Sequence, residues 1–333
     1  MATAIAHEQR TTNANRRAHV MGTEAHVIVV ADDADYLAQV AIERLQQLEA
    51  RWSRFLPDSE INRLNDHPGV PVLVAPETFQ LIAHALEGWR MTQGNFDPTI
   101  LADLCAEGYN RTFELLARPK ASSREVVRGD ADNGRTPAAR DHAPDIRLDQ
   151  IVGTVRIGPN TSFDPGGIGK GFAADLVVAE LLSSGARGAL ISVGGDLRAA
   201  GETPEGSSWG VAIVDPLDPQ RVIGNLCIAS GAIASSWRTK RTWVGPDGRL
   251  RHHIIDPRTG RSTANGVAGV TVVAAQGWRA EVLAKGAFLA GPVQGAALIA
   301  ESGAAGIVIA DDGTLHPAGG IDAFLVPVAE GDH

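Results

Sequence analysis

A glycine-rich segment followed by a helical pattern, a buried strand and an acidic turn is the feature that most constrains this chain. It occupies residues 163–196 and begins with the run Phe-Asp-Pro-Gly-Gly-Ile-Gly-Lys-Gly. Crowded glycines let the backbone approach a ligand closely, and a helix N-terminus presents unpaired N–H groups to an anion. Lys170 adds a mobile positive charge. The segment therefore predicts a site for a nucleotide or dinucleotide.

Two common phosphate-binding motifs do not fit this segment. A P-loop requires Gly where Asp164 stands and Ser or Thr where Gly171 stands. The dinucleotide fingerprint G-x-G-x-x-G also fails, because Gly167, Gly169 and Gly171 have the wrong spacing. A glycine-rich corner between helix and strand without any ligand remains an alternative.

Composition and charge exclude several classes of protein. The chain has 333 residues with a formal net charge of -9, and it has no long Lys/Arg-rich run, which argues against a nucleic-acid surface. Cys105 and Cys227 are far apart in the chain, so neither a disulfide framework nor a cysteine metal site is expected. Residues 1–17 are polar and lack a hydrophobic signal region, so we expect a cytoplasmic protein without membrane insertion.

Apolar periodicity predicts helices and strands that interleave along the chain. Leu37, Ala41, Leu45 and Leu48 recur at helical spacing. Further helices are predicted after Pro76 and over 172–182 and 279–289, and strands over 26–30, 189–193, 209–214, 222–228 and 267–274, with a late hairpin turn at 311–313. Many hairpin-like turns favour antiparallel pairing, so we expect an α+β fold with mixed, largely antiparallel sheets flanked by helices.

Composition also predicts the domain boundaries. We expect a flexible polar tail over residues 1–18, a single domain over 19–328 and a C-terminal tail over 329–333. At about 118–145 the sequence changes to Arg, Asp, Ser, Pro and Gly without periodicity, which predicts a mobile surface loop inside the domain.

Three polar clusters fall at the ends of predicted elements, where loops commonly carry chemistry. They occupy residues 52–65, 94–99 and 252–260. Each also has a purely structural interpretation. The first could be a capped turn with Asp58 or Ser59 as the N-cap, the second an ordinary Asp-Pro turn, and the third a pair of structural histidines beside a strand.

Six motifs follow one another over nearly the whole chain, from about residue 19 to residue 325. They are Met21-Gly22-Thr23, Asp58-Ser59-Glu60, Phe96-Asp97-Pro98-Thr99, Gly166-Gly167-Ile168-Gly169-Lys170-Gly171, Gly194-Gly195-Asp196 and His253-Ile254-Ile255-Asp256-Pro257-Arg258-Thr259-Gly260. In this order they resemble the FAD:protein FMN transferases, the ApbE-like flavin transferases. The resemblance implies a two-lobed single domain related to the T-fold.

The resemblance also implies a reaction. Such enzymes bind FAD with a divalent cation, usually Mg²⁺, and move FMN onto a threonine hydroxyl of an acceptor flavoprotein with release of AMP. His253, rather than its neighbour His252, stands where the family has the histidine that we expect to act as the base. Two alternatives remain open, a flavin-binding carrier or regulator without transferase activity, and an enzyme that hydrolyses FAD to FMN and AMP.

Residues for FAD binding are carried over from the resemblance. We expect the following side chains or their backbones to contact FAD: Met21, Phe55, Asn95, Phe96, Asp97, Asp164, Lys170 and Ile254. Lys170 is expected near the phosphates. Phe55 stands where the family commonly has Tyr, so its ring can still stack while one hydrogen bond is lost.

The expected metal site departs from the family pattern. By resemblance it would involve Gly167, Ala284 and two oxygen ligands spaced i,i+4 on the late helix, usually Asp and Thr, but Glu281 and Lys285 stand there. Glu281 could hold Mg²⁺ with backbone carbonyls while Lys285 turns away or pairs with it. A protonated lysine has no lone pair to give a cation, so Lys285 cannot coordinate the metal as the usual Thr would. Alternatively, the Lys285 ammonium could take the place of the metal. A third alternative is an exposed Glu-Lys pair without consequence.

Overall fold

The computed structural model describes residues 13–116, 145–245 and 247–326. The mobile loop predicted at about 118–145 falls almost entirely outside the described residues. The predicted C-terminal tail and the first twelve residues of the predicted N-terminal tail also lie outside them.

The predicted N-terminal boundary at residue 19 is wrong, because a strand begins at Asn13. This strand pairs antiparallel with the next one along its whole length, so residues 13–18 belong to the sheet. Ala14 and Val20 are buried, and Arg16 on the same face of the strand pairs with Asp35. Arg17 lies on the opposite, outward face and pairs with Glu24. Such polar outward positions are typical of an edge strand, which explains why the composition suggested a tail.

The described residues form eight helices and eighteen strands. The helices are α1 Ala34–Trp52, α2 Glu60–Asp66, α3 Pro76–Met91, α4 Leu101–Ala106, α5 Phe113–Leu116, α6 Gly169–Ser183, α7 Gly277–Ala290 and α8 Pro292–Glu301, with a 3₁₀ turn at Ile321–Ala323. The strands are β1 Asn13–Val20, β2 Thr23–Val30, β3 Val72–Leu73, β4 Ile146–Asp149, β5 Thr154–Ile157, β6 Gly188–Val193, β7 Asp196–Gly201, β8 Trp209–Val214, β9 Val222–Ile228, β10 Gly231–Trp237, β11 Thr242–Val244, β12 Leu250–His252, β13 Ile255–Asp256, β14 Arg261–Ser262, β15 Val267–Ala274, β16 Ala305–Ala310, β17 Leu315–Ala318 and β18 Leu325–Val326.

An eight-stranded antiparallel sheet is the centre of the molecule. Its strand order is β1-β2-β6-β7-β10-β15-β16-β17. Smaller antiparallel sheets are formed by β18-β9-β8 and β3-β5-β4. The predicted α+β fold with largely antiparallel sheets is therefore confirmed. No helix in the described part of the chain is long and apolar enough to cross a membrane.

Alternating side chains of the central sheet serve two hydrophobic cores. On one face, Ile191 of β6 packs with α1 and α6, and Val272 of β15 packs with α7 and α8. On the other face, Leu190 and Val273 pack with β8, β9 and the 3₁₀ turn. This alternation follows from the two-residue period of a strand.

Two glycines let α6 and α7 meet backbone to backbone. A Cβ atom added to Gly171 would lie 2.3 Å from the carbonyl oxygen of Gly277, and one added to Gly277 would lie 2.4 Å from the carbonyl oxygen of Gly171. The carboxylate of Asp175 accepts the backbone N–H groups of Gly277 and Trp278 and so caps the start of α7. The contact fixes the first turn of α6 against α7, where the charged residues described next are found.

Candidate active site

The glycine-rich loop precedes α6 and rests directly on neighbouring side chains. Its turn is closed by the Ile168 N–H, which donates to the Pro165 carbonyl at 3.1 Å. A Cβ atom added to Gly167 would lie 2.9 Å from the Phe96 ring and 2.5 Å from Lys285 Nζ. Only glycine fits there, so the loop backbone itself faces the Lys285 ammonium.

Lys170, in the first turn of α6, lies between two carboxylates. Its ammonium donates to Asp196, and Nζ lies 3.3 Å from Oε1 of Glu281. The other Glu281 oxygen, Oε2, accepts the Gly171 N–H at 2.8 Å. Burial lowers the pKa of Lys170, although the nearby Glu281 carboxylate opposes that effect.

Lys285 lies one turn after Glu281 on α7 and reaches the glycine-rich loop. Its Nζ donates to the Gly166 carbonyl at 3.4 Å. Glu281 is 5% exposed and Lys285 8% exposed, so the alternative of an exposed Glu-Lys pair is wrong, and so is the alternative in which Lys285 turns away from the loop. Burial lowers the pKa of Lys285, while the Asp164 and Glu281 carboxylates oppose the shift.

Arg54 forms the centre of an aromatic cluster beside the loop. Its guanidinium carbon lies 4.3 Å from the centre of the Phe55 ring and 4.6 Å from that of Tyr109. Its Nε lies 3.3 Å from the buried Asp164 carboxylate. The Asp164 N–H in turn donates to the Pro98 carbonyl at 2.8 Å, which joins the Asp-Pro turn to the glycine-rich loop.

Arg241 and Lys240 add two further cations from the segment after β10. Arg241 has a positive φ of 52° and donates to the Tyr109 hydroxyl at 3.2 Å and to the Gly22 carbonyl at 3.3 Å. Lys240 Nζ lies 4.2 Å from the centre of the Trp237 ring. Burial lowers the pKa of Lys240, and the charges of Lys170 and Arg241 lower it further, so these cations face one another.

The two histidines of the third polar cluster have different environments. His252 is buried, its Nδ1 accepts the Ile254 N–H at 3.3 Å, and its Nε2 therefore carries the proton donated to the Thr263 carbonyl at 2.9 Å. Burial lowers the pKa of His252 to about 4. His252 thus has the structural role that was one interpretation of this cluster.

His253 faces the cations instead. Its Nδ1 lies 3.1 Å from the Lys240 carbonyl, so this nitrogen carries the proton and Nε2 keeps its lone pair. Burial lowers the pKa of His253 well below its usual value, and the charges of Lys285 and Arg241 lower it further. The side chain is therefore a neutral imidazole with an available acceptor nitrogen at physiological pH.

The remaining predicted contacts lie in turns at the edge of this cluster. Met21 has a positive φ of 54° in the turn between β1 and β2 and packs partly against the core. Asn95 donates its side-chain N–H to the Thr92 carbonyl at 3.0 Å. The Asp97 carboxylate accepts the N–H and hydroxyl of Thr99, which forms the Asx-type turn expected for an Asp-Pro step.

Three predicted residues have side chains in the hydrophobic core. Phe96 is 1% exposed and belongs to the core cluster that includes residues of α1 and α6. Ile254 is fully buried and Ala284 is 1% exposed, and both belong to the cluster between α7 and the central sheet. The Ile254 carbonyl also accepts the Thr263 N–H at 3.1 Å. The contacts of these three residues with a ligand stay predictions.

The oxygen atoms near the glycine-rich loop do not form a divalent-cation site. Mg²⁺ requires about six oxygen ligands in near-octahedral geometry. Here the Gly166 carbonyl accepts from Lys285, Glu281 is engaged with Gly171 and Lys170, and Asp164 pairs with Arg54. In the described ranges no three His, Cys, Asp or Glu side chains lie close enough together to hold a metal ion by themselves. The donors present therefore do not fit a metal at the predicted position.

Several residues of the site were missed by the sequence analysis. Arg54, Tyr109, Asp196, Lys240 and Arg241 carry no predicted role, although they hold or flank the predicted residues. One signal was available, since the basic run Arg-Thr-Lys-Arg at 238–241 directly follows the strand β10. The polar cluster at 52–65 turns out to serve twice, because Ser59 caps α2 through Asn62 while its earlier residues face the site.

Comparisons with known proteins find similarity along most of the chain. The model of the ApbE family matches residues 21–308. A FAD:protein FMN transferase of Vibrio cholerae is 28% identical over 265 residues, covering 78% of this chain and 75% of the relative. The Escherichia coli K12 protein of the same name is 25% identical over 298 residues, covering 88% and 83%.

Solved structures show the same fold. The ApbE protein of Thermotoga maritima superposes with a TM-score of 0.80 at 26% identity, covering 95% of this chain and all of that one. The flavin transferase ApbE of Vibrio cholerae superposes with a TM-score of 0.77 at 24% identity, covering 95% and 100%. Because the family match spans both the glycine-rich loop and His253, this chain belongs to the ApbE family.

Proposed function

We propose that this protein is an FAD:protein FMN transferase, which moves FMN from FAD to a threonine hydroxyl of an acceptor flavoprotein and releases AMP. The observation that carries the proposal is the neutral His253 beside several cations at a glycine-rich loop. Membership of the ApbE family and the names of the relatives support it.

The cations suit the pyrophosphate of FAD. Five cations lie at the loop, namely Arg54, Lys170, Lys240, Arg241 and Lys285. In the described residues, three carboxylates form ion pairs with them, namely Asp164, Asp196 and Glu281. A partly buried excess of positive charge attracts an anion more strongly than the same charges in water. The pyrophosphate of FAD supplies the missing negative charge.

His253 is placed to act as the general base. In the proposed step, its Nε2 accepts the threonine hydroxyl proton as the threonine oxygen attacks the FMN phosphorus. A new P–O bond joins FMN to the acceptor, and the bond from that phosphorus to the bridging oxygen breaks. The electron pair of that bond leaves with AMP, whose charge the cations stabilise. The other ring proton stays on Nδ1 throughout, where it is donated to the Lys240 carbonyl.

The aromatic cluster suits the rings of the dinucleotide. Phe55 is half-buried, and Arg54 covers one side of its ring at 4.3 Å. A planar guanidinium beside an aromatic ring offers an extended flat surface on which a flavin or adenine ring can stack. The ion pair of Arg54 with Asp164 couples this surface to the glycine-rich loop.

Intact mass spectrometry tests the proposal directly. The protein is incubated with FAD and a flavoprotein domain that carries an exposed threonine, and the acceptor is expected to gain the mass of one FMN while one AMP appears per acceptor. An acceptor with Val in place of that threonine is the matched control and should stay unmodified. AMP release without a mass gain would instead indicate FAD hydrolysis, and bound FAD without AMP would indicate a flavin-binding protein.

A further inference from the structure

The Lys285 ammonium reaches the glycine-rich loop from α7. Its Nζ donates to the Gly166 carbonyl at 3.4 Å, and a Cβ atom added to Gly167 would lie only 2.5 Å from the same nitrogen. The side chain is 8% exposed and lies one helical turn after Glu281. The ammonium is therefore packed into the loop and is not a mobile surface charge.

The surrounding charges indicate which kind of ligand the ammonium can bind. The Asp164 carboxylate forms an ion pair with Arg54. The Glu281 carboxylate forms an ion pair with Lys170 and accepts the Gly171 N–H. Lys285 has no carboxylate within ion-pair distance among the contacts of the described residues. Its charge is thus available to an anion that lies along the loop.

We propose that Lys285 supplies, as a fixed part of the chain, the positive charge that the pyrophosphate needs, so that FAD binding and FMN transfer here require no divalent cation. The inference rests on the proposed function, since it concerns the same pyrophosphate. An ammonium gives one charge and three N–H donors, and Lys170 and Arg241 lie close enough to add to it.

Calorimetric titration of FAD into the purified protein tests the inference without an acceptor protein. We expect the dissociation constant to agree within about twofold between a chelator and excess Mg²⁺. Lys285→Thr removes the ammonium and offers an oxygen. This variant should bind FAD about 10-fold to 100-fold more weakly in chelator, the range of one lost charge-assisted hydrogen bond, and should recover affinity with Mg²⁺.

Lys240→Met is the matched control, because it removes another lysine charge from the same cluster but leaves Lys285 in place. Its affinity should fall equally in chelator and in Mg²⁺. Should Lys285→Thr fail to fold, Lys285→Met provides the same loss of charge, and it should bind FAD weakly under both conditions. The comparison of FAD affinity in chelator and in Mg²⁺ is made on the unchanged protein and therefore requires no variant.

A direct readout of metal complements the titration. Mn²⁺ is added to the protein with FAD and followed by electron paramagnetic resonance, and no bound Mn²⁺ is expected beyond that held by free FAD. FAD binding at least about tenfold tighter with Mg²⁺, or one tightly bound Mn²⁺ per chain, would overturn the inference and leave the proposed function standing. No FAD binding under either condition would overturn both.

Discussion

Two ionic networks of this protein differ in how their charges are balanced. Between α1, α3 and α6, Arg44 joins Glu77 of α3 at 2.5 Å and Glu180 of α6 at 3.0 Å, and Arg51 joins Glu77 at 2.9 Å. The hydrogen bond with Glu180 raises the pKa of Arg44. Burial works against ionisation of Glu77, but its arginine partners outweigh it and lower its pKa. Each charge in this network is stabilised by its partners.

At the glycine-rich loop the balance is the reverse. The pKa values of Lys170, Lys240 and Lys285 are all lowered, mainly by burial, and each of these lysines is also repelled by a neighbouring cation. Charges that merely stabilise a fold are arranged to satisfy one another. Charges that remain destabilised in the free protein indicate a site that is completed by an anion, and such sites commonly reduce the stability of the free protein.

The largest expected effect concerns His253, the neutral base that lies among the cations of the glycine-rich loop. His253→Ala should lower the rate of FMN transfer about 10²-fold to 10⁴-fold, the usual contribution of a general base, while FAD affinity stays nearly unchanged. Single-turnover transfer and FAD titration measure the two effects. His67→Ala, an exposed histidine at the end of α2, is the control. If the His253 variant transferred FMN at the rate of the unchanged protein, this side chain would not be the base.

The second test separates the backbone that positions the site from the charges in it. Gly171→Ala would place a Cβ atom 2.3 Å from the Gly277 carbonyl and push α6 away from α7. We expect the free energy of unfolding to fall by about 1–3 kcal/mol and FAD affinity to fall with it, as Lys170 and Glu281 separate. Urea denaturation and FAD titration are the measurements.

Gly210→Ala is the matched control, because nothing lies within 4 Å of a Cβ atom at that position in β8. It should change stability by less than about 0.5 kcal/mol. A Gly171 variant with unchanged stability and affinity would contradict the close contact between α6 and α7.

The local parts of the site could be predicted from the sequence. Crowded glycines, a lysine and a following helical pattern lie within one segment, so the loop and α6 were predictable from neighbouring residues alone. The apolar stripe of α1 and the strands β8, β9 and β15 were likewise predicted, because each is marked by its own periodicity. His253 was singled out by its motif.

The partners across the fold could not be predicted. Arg54 meets the Tyr109 carbonyl 55 positions away, and Arg241 meets the Gly22 carbonyl 219 positions away, and no local pattern encodes such contacts. Helix α8 also escaped the sequence analysis. It follows α7 after Gly291 alone, and its buried side is short, with Gly295, Leu298 and Ile299.

A third and smaller effect follows from the lowered pKa values of Lys170 and Lys285. The pyrophosphate raises both pKa values, so the complex binds more protons than the free protein. FAD affinity is therefore highest at pH below the free-protein pKa values and falls as the pH rises through them, by up to about tenfold per pH unit for each proton taken up. FAD titrations at a series of pH values below the ordinary lysine pKa of about 10.4 measure this dependence.

Lys285→Met should make this pH dependence shallower, because one of the two titrating groups is gone. Arg44→Met, in the network around Glu77, should leave the pH dependence unchanged. The same slope in all three proteins would mean that the buried lysines do not titrate with FAD binding, and the contrast between the networks would lose its electrostatic basis.

The smallest expected effect concerns stability, and it has opposite signs in the two networks. Arg44→Met removes the shared partner of Glu77 and Glu180. It should lower the free energy of unfolding by up to about 1 kcal/mol, as is usual for pairs near the surface, and should leave FAD affinity unchanged. Lys285→Met removes a buried charge whose neighbours keep other partners, so it should leave the stability of the free protein equal or higher. Urea denaturation without FAD compares the two variants, and a Lys285 variant less stable than the Arg44 variant would show that the buried ammonium holds the fold together.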